Sequence, residues 1–92
     1  MTDQRLPLQL SHALRKSLIA TSDGNVHRLY GSGGNILKCS KPGIASGTLW
    51  KLAGYNWIED EPGTSTGTII RKVRMRLTKA GTNVLGRASL PR

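Results

Sequence analysis

Lys72, Arg74 and Arg76 occupy alternate positions in the run Thr68–Leu77. In an extended strand alternate side chains leave from one face, so the three cations form a row spaced about 7 Å apart. Phosphates along one nucleic-acid strand repeat at a similar distance, and such a row can track a backbone. Arg71 and Lys79 enlarge the row to five cations within nine residues. A clustered basic stripe is the electrostatic footprint of nucleic-acid contact. The plainer reading is a charged edge strand that blocks self-association, but the density of the cluster favours phosphate contact.

Two further groups carry candidate chemistry. Ser46, Thr48, Trp50, Lys51 and Tyr55 fall on or beside a helix face turned away from Leu49 and Leu52. These residue types reach phosphates and base edges. Arg28, with His27 and Tyr30 on either side and Gly33-Gly34 downstream, offers a second contact patch. Glu59, Asp60 and Glu61 supply three of the five acids and stand just before the basic strand. In a Pro/Gly-containing loop they read as solvated charge, or as a contact for a basic protein surface.

Catalysis finds little support. No Ser/His/Asp or Cys/His motif is present. Cys39 is the single cysteine, and His12 and His27 stand apart. An internal disulfide is excluded, and neither a metal site nor a cofactor is expected.

These residues must be positioned by a chain of 92 residues with 37% hydrophobic content and no Phe. One domain over 1–92 is expected, with 1–6 and 86–92 flexible. The core must rest on Leu, Ile, Val and two Trp. Fourteen Lys and Arg against five Asp and Glu give a net charge of +9 and a pI near 10.7. That balance points to a polyanionic partner. No apolar run reaches the roughly 20 residues that span a bilayer. No signal-peptide pattern opens the chain. No membrane partner and a cytoplasmic location are therefore expected.

Leu10, Leu14 and Leu18 predict a first helix at about 8–20. Val26–Tyr30 reads as a short strand and Gly31–Asn35 as a turn. Ile36–Cys39 reads as the hairpin partner or as a short helix. A helix follows from Ile44 to Ala53, which Ser46 can cap, and Asn56 can end it in the left-handed conformation. Residues 59–67 read as a hairpin loop. In the strand 68–77, Ile69, Val73, Met75 and Leu77 alternate with the cations and should point inward, with Arg71 among them near the open end. Thr78 caps a last helix at 78–85.

Residues 48–59, Thr-Leu-Trp-Lys-Leu-Ala-Gly-Tyr-Asn-Trp-Ile-Glu, resemble the phrase Thr-Leu-x-x-Leu-x-x-x-Gly-Leu-Ile-Glu. That phrase joins recognition helix to wing in winged-helix regulators of the MarR/PadR type. Asn56 stands in place of the family's Gly and Trp57 in place of its Leu. Residues 77–85, Leu-Thr-Lys-Ala-Gly-Thr-Asn-Val-Leu, resemble the family's Leu-Thr-x-x-Gly-x-x-x-Leu. The long dimerisation helices of complete regulators are missing, which brings the chain closer to small winged-helix-like proteins of phages and mobile elements. Residues 31–43 carry Gly-rich breaks where the family has a helix.

The resemblance implies an α+β fold: a small winged-helix-like domain of about three helices with a β-hairpin wing. With the charge pattern, it implies a non-enzymatic DNA-binding regulator of a phage or mobile element. Double-stranded DNA or another nucleic acid is the expected partner, and a homodimer is compatible. The contacts would come from Arg28, Ser46, Thr48, Trp50, Lys51, Arg71, Lys72, Arg74, Arg76 and Lys79. The alternative is a phage-type, anti-CRISPR-like inhibitor that docks on a host nucleoprotein complex through Glu59, Asp60 and Glu61.

Overall fold

A computed structural model describes residues 11–89. The expectations for residues 1–10 and 90–92 lie outside the described residues. Helix α1 (His12–Ser22) begins at Ser11, whose hydroxyl accepts the Leu14 N–H at 3.2 Å. Strands β1 (Val26–Gly31) and β2 (Gly34–Cys39) form an antiparallel hairpin. Residues 36–39 thus take the strand alternative. The second helix, α2 (Ser46–Gly54), is preceded by Ala45, which offers no side-chain cap. Instead of capping, the Ser46 hydroxyl donates to the Leu37 carbonyl at 2.9 Å and ties α2 to β2. The chain continues through β3 (Ile58–Asp60), β4 (Arg71–Leu77) and α3 (Lys79–Ser89). The last helix runs beyond Leu85 into part of the expected flexible tail.

The strands make one antiparallel sheet in the order β2-β1-β4-β3. Its central joint is β1 on β4, which aligns His27 with Arg74 and Leu29 with Lys72. This architecture overturns the winged-helix expectation. A winged helix needs a helix immediately before the recognition helix. Here the preceding segment is spent on the β1–β2 hairpin, whose turn uses Gly34 at a φ of 122°. A left-handed backbone at that point suits a reversal and not a helix. The two hairpins then join through β1 and β4 into a single four-stranded sheet.

All three helices cover one face of that sheet. Leu18 of α1, Leu49 and Leu52 of α2, and Val84 of α3 share a core with Val26, Leu37 and Met75 of the strands. The register puts Val73 and Met75 inward, both buried, while Lys72, Arg74 and Arg76 point outward and are exposed. Ile69, expected inward, lies before β4 and is 90% exposed. Pairing into the sheet begins only at Arg71.

The two phrases that carry the family resemblance meet at one junction. Asn56, at a φ of 64°, turns the chain from α2 into β3. The Thr78 hydroxyl donates to the Asn56 carbonyl at 2.7 Å, and the Thr78 N–H donates to the Trp57 carbonyl at 2.9 Å. The same hydroxyl accepts the Gly81 N–H at 3.0 Å and so caps α3. Gly81 rests directly on the Trp57 carbonyl, where any Cβ would collide with backbone. Trp57 itself is 1% exposed.

Gly81→Ala should therefore destabilise the protein by about 1–3 kcal/mol, the range for forcing extra volume into a packed site. Gly86 lies in the same helix, and a Cβ there would meet nothing within 4 Å. Gly86→Ala should be neutral or stabilise by up to about 1 kcal/mol. Denaturant melts of the two variants check the contrast, and equal effects would contradict the close approach at Trp57.

Candidate functional site

Strand alternation sends His27 and Leu29 of β1, Ile36 and Lys38 of β2, and Lys72, Arg74 and Arg76 of β4 to the face away from the described helices. His27 lies at its centre. It is opposite Lys38 on one side and Arg74 on the other. With neighbouring strands about 4.8 Å apart, this makes a straight cross-strand row. Lys72 follows on β4, opposite Leu29. Two shallow depressions flank His27. One is lined by Leu29, Lys38, Cys39, Ser40 and Lys72, and the other by Gly63, Thr64, Thr66, Lys72 and Arg74.

The electrostatics of His27 reflect this setting. Partial burial is the main cause that lowers its pKa below the ordinary 6.5, and Lys72 and Arg74 lower it further. A neutral imidazole thus stands among cations, an arrangement that an incoming anion would relieve.

The carboxylates are not a free cluster. Glu59 pairs with Arg76 at 2.8 Å, Asp60 with Arg28 at 3.0 Å, and Glu61 with Arg74 at 2.9 Å. The β3–β4 register places Glu59 opposite Arg76, and the Glu61 N–H donates to the Arg74 carbonyl. The expectation of solvated loop charge misread three cross-strand partners. Both glutamate pairs are exposed, so each contributes little stability, about 0–1 kcal/mol. What they change is the free charge: Arg74 and Arg76 reach the open face already paired, whereas Lys38 and Lys72 carry no ion-pair partner among the described residues.

The other expected contacts lie elsewhere. Ser46, Thr48, Trp50 and Lys51 ride on α2, and Lys79 opens α3, both on the covered side of the sheet. Arg28 and Arg71 point to that side too, Arg28 against α2. There the Arg28 guanidinium lies between Trp50 and Tyr30, 5.4 and 5.8 Å from the ring centroids. It also donates to the Asn35 side chain at 2.8 Å. Arg71 stacks on Tyr30 at 4.5 Å, and the Tyr30 hydroxyl donates to Asp60. The structure therefore splits the expected interface in two. The strand cations form one surface; α2 and the Arg28–Trp50 cluster form another on the opposite side.

No protein-family model, curated protein or solved structure matches this chain. The site is legible only from its own geometry. Among the described residues no group of three or more His, Cys, Asp and Glu could hold a metal ion. No described helix is long and apolar enough to cross a membrane.

Sequence reasoning named Lys72 and Arg74 but passed over Lys38, and it grouped His27 with Arg28 and Tyr30, which the register sends to the opposite face. The alternation through Val26–Tyr30 and Ile36–Cys39 held the signal. Once those segments pair as a hairpin, His27 and Lys38 share a face.

Tyr30 offers a check on the Arg28–Trp50 cluster. Its pKa is raised above 10.0, first by the hydrogen bond to Asp60 and then by burial, while Arg28 and Arg71 pull it down. In a Tyr55→Phe background, Asp60→Ala should lower the Tyr30 pKa, because only burial and the two arginines then act on it. Phenolate absorbance against pH measures it; an unchanged titration would contradict the Tyr30–Asp60 bond.

Proposed function

We propose that the protein is a non-catalytic nucleic-acid-binding protein whose open sheet face holds the phosphate backbone of a duplex. The observation that carries this reading is the cross-strand row Lys38–His27–Arg74 with Lys72 beside it, on a face that none of the described helices covers. A net charge of +9 supports it from the whole chain. The face presents no Trp or Tyr, so it lacks the stacking platform with which single strands are usually held. That favours duplex backbone over unpaired bases. It also offers few groups for reading base edges, so positioning on the backbone is the role it suits. A regulator of a phage or mobile element is one setting for such a protein.

The rival reading, an inhibitor docking on a host nucleoprotein complex through Glu59, Asp60 and Glu61, has weaker support. Each of those carboxylates is engaged by an arginine of the same chain.

Salt titration of duplex binding tests the proposal. Affinity should fall with salt at a log–log slope of about −0.9 per phosphate contact. Lys38→Ala/Lys72→Ala should flatten the slope by about 2. Glu59→Gln/Glu61→Gln frees Arg76 and Arg74 and should tighten binding and steepen the slope. Binding that is absent, or slopes that ignore both double variants, would contradict the reading.

A further inference from the structure

The connection from β3 to β4 ends in a tongue that is built firmly and yet buries nothing at its tip. Thr66 and Lys72 exchange backbone hydrogen bonds, Thr66 N–H to Lys72 carbonyl at 2.9 Å and Lys72 N–H to Thr66 carbonyl at 2.7 Å. These two bonds close a five-residue turn, residues 67–71. Gly67 takes a φ of 91°, and the Ile70 carbonyl folds over it so closely that any Cβ there would collide with it. The turn is thus fixed by backbone contacts that only glycine permits at that position. At its crown stand Ile69 and Ile70, 90% and 59% exposed.

Single exposed apolar residues are ordinary. Two adjacent β-branched residues held out by a glycine-locked turn, in a chain whose core is thin, are a presented surface. Its flanks are cationic. Arg71 and Lys72 follow directly, and residues 62–72 contain no acid. Lys72 belongs both to the base of the tongue and to the His27 cluster of the open face. A polyanion held on that face therefore extends toward the isoleucines.

We infer that Ile69 and Ile70 form an apolar wedge that inserts at base steps of the bound duplex, so that the preferred ligand is a duplex that unstacks easily. The inference rests on the backbone-binding reading above. Apolar wedges of this kind work beside basic residues that hold the flanking phosphates, and they carry the cost of partial unstacking. That cost is smallest where pairing is already weak. A mismatched duplex should therefore be preferred to a fully paired one of the same length and charge. An anionic lipid surface is the other polyanion an Ile/Ile/Arg/Lys tip could meet. Continuity of the tongue, through Lys72, with the cross-strand row of cations favours a linear phosphate chain instead.

The test uses two short synthetic duplexes, fully paired and with one central mismatch, each carrying 2-aminopurine beside the centre. The full chain should bind the mismatched duplex about tenfold more tightly and raise its fluorescence through unstacking. Ile69→Ser/Ile70→Ser, which alters only exposed side chains, should remove the preference and the fluorescence change while keeping the salt slope of the unaltered protein. Equal affinity of the unaltered protein for both duplexes overturns the wedge, as does a preference that survives the double substitution. Sedimentation with phosphatidylserine vesicles that depends on Ile69 and Ile70, without discrimination between duplexes, also overturns it in favour of a membrane. Loss of all salt-dependent duplex binding in the unaltered protein would instead bring down the backbone reading beneath it.

Discussion

The described helices pack their apolar side chains on one face of the sheet. Leu18, Leu49, Leu52 and Val84 come from three helices, and all meet Val26, Leu37 and Met75 on the same side. Strand geometry does the rest. Every residue that alternates with a buried one must face solvent, so burying Val73 and Met75 commits Lys72, Arg74 and Arg76 to the open side. The β1–β4 register then sets His27 beside Arg74, and the β1–β2 register sets it beside Lys38. A slip of one residue in either pairing would exchange the two faces of a strand. The candidate functional surface is thus a consequence of how the core is filled.

Holding so many cations on one side costs repulsion, and the chain relieves part of it locally. Glu59 and Glu61 lie across from Arg76 and Arg74. On the other side, Asp60 draws Arg28 across the sheet, where Trp50 and Tyr30 sandwich it. The acids that precede β4 therefore work as a counter-strand to it. Lys38 and Lys72 are left without an ion-pair partner among the described residues, beside a His27 whose pKa is depressed.

Much of the element order was legible in the sequence, because it rests on local signals. The four-residue spacing of leucines in α1, the alternation in β4, the left-handed Asn56 and the capping Thr78 each announce themselves within a few residues. The two short phrases meet at the junction of Trp57, Thr78 and Gly81, where the turn out of α2 closes against the cap of α3. What local signals could not give was the partner of each strand. The β1–β4 pairing joins segments more than forty residues apart and turned an expected wing into half of a four-stranded sheet. The same gap hid the arginine partners of Glu59, Asp60 and Glu61, and it hid Lys38. Ile69 was misplaced for another reason: its alternation with Val73 and Met75 is real in sequence, but the Gly67 turn keeps it out of the strand.

The proposed mode of binding lays an anionic backbone directly over His27. The His27 pKa, followed by NMR of the imidazole in the free protein and with a saturating short duplex, reports on that contact at the atom concerned. In the free protein it should lie below 6.5, as burial and the neighbouring cations dictate. Phosphates brought over Lys38, His27 and Lys72 favour the protonated ring, so the pKa should rise on binding and affinity should increase as pH falls through the interval between the two values. An identical His27 titration in both states, with duplex-induced shifts confined to α2, would contradict this mode of binding and move the interface to the covered side of the sheet.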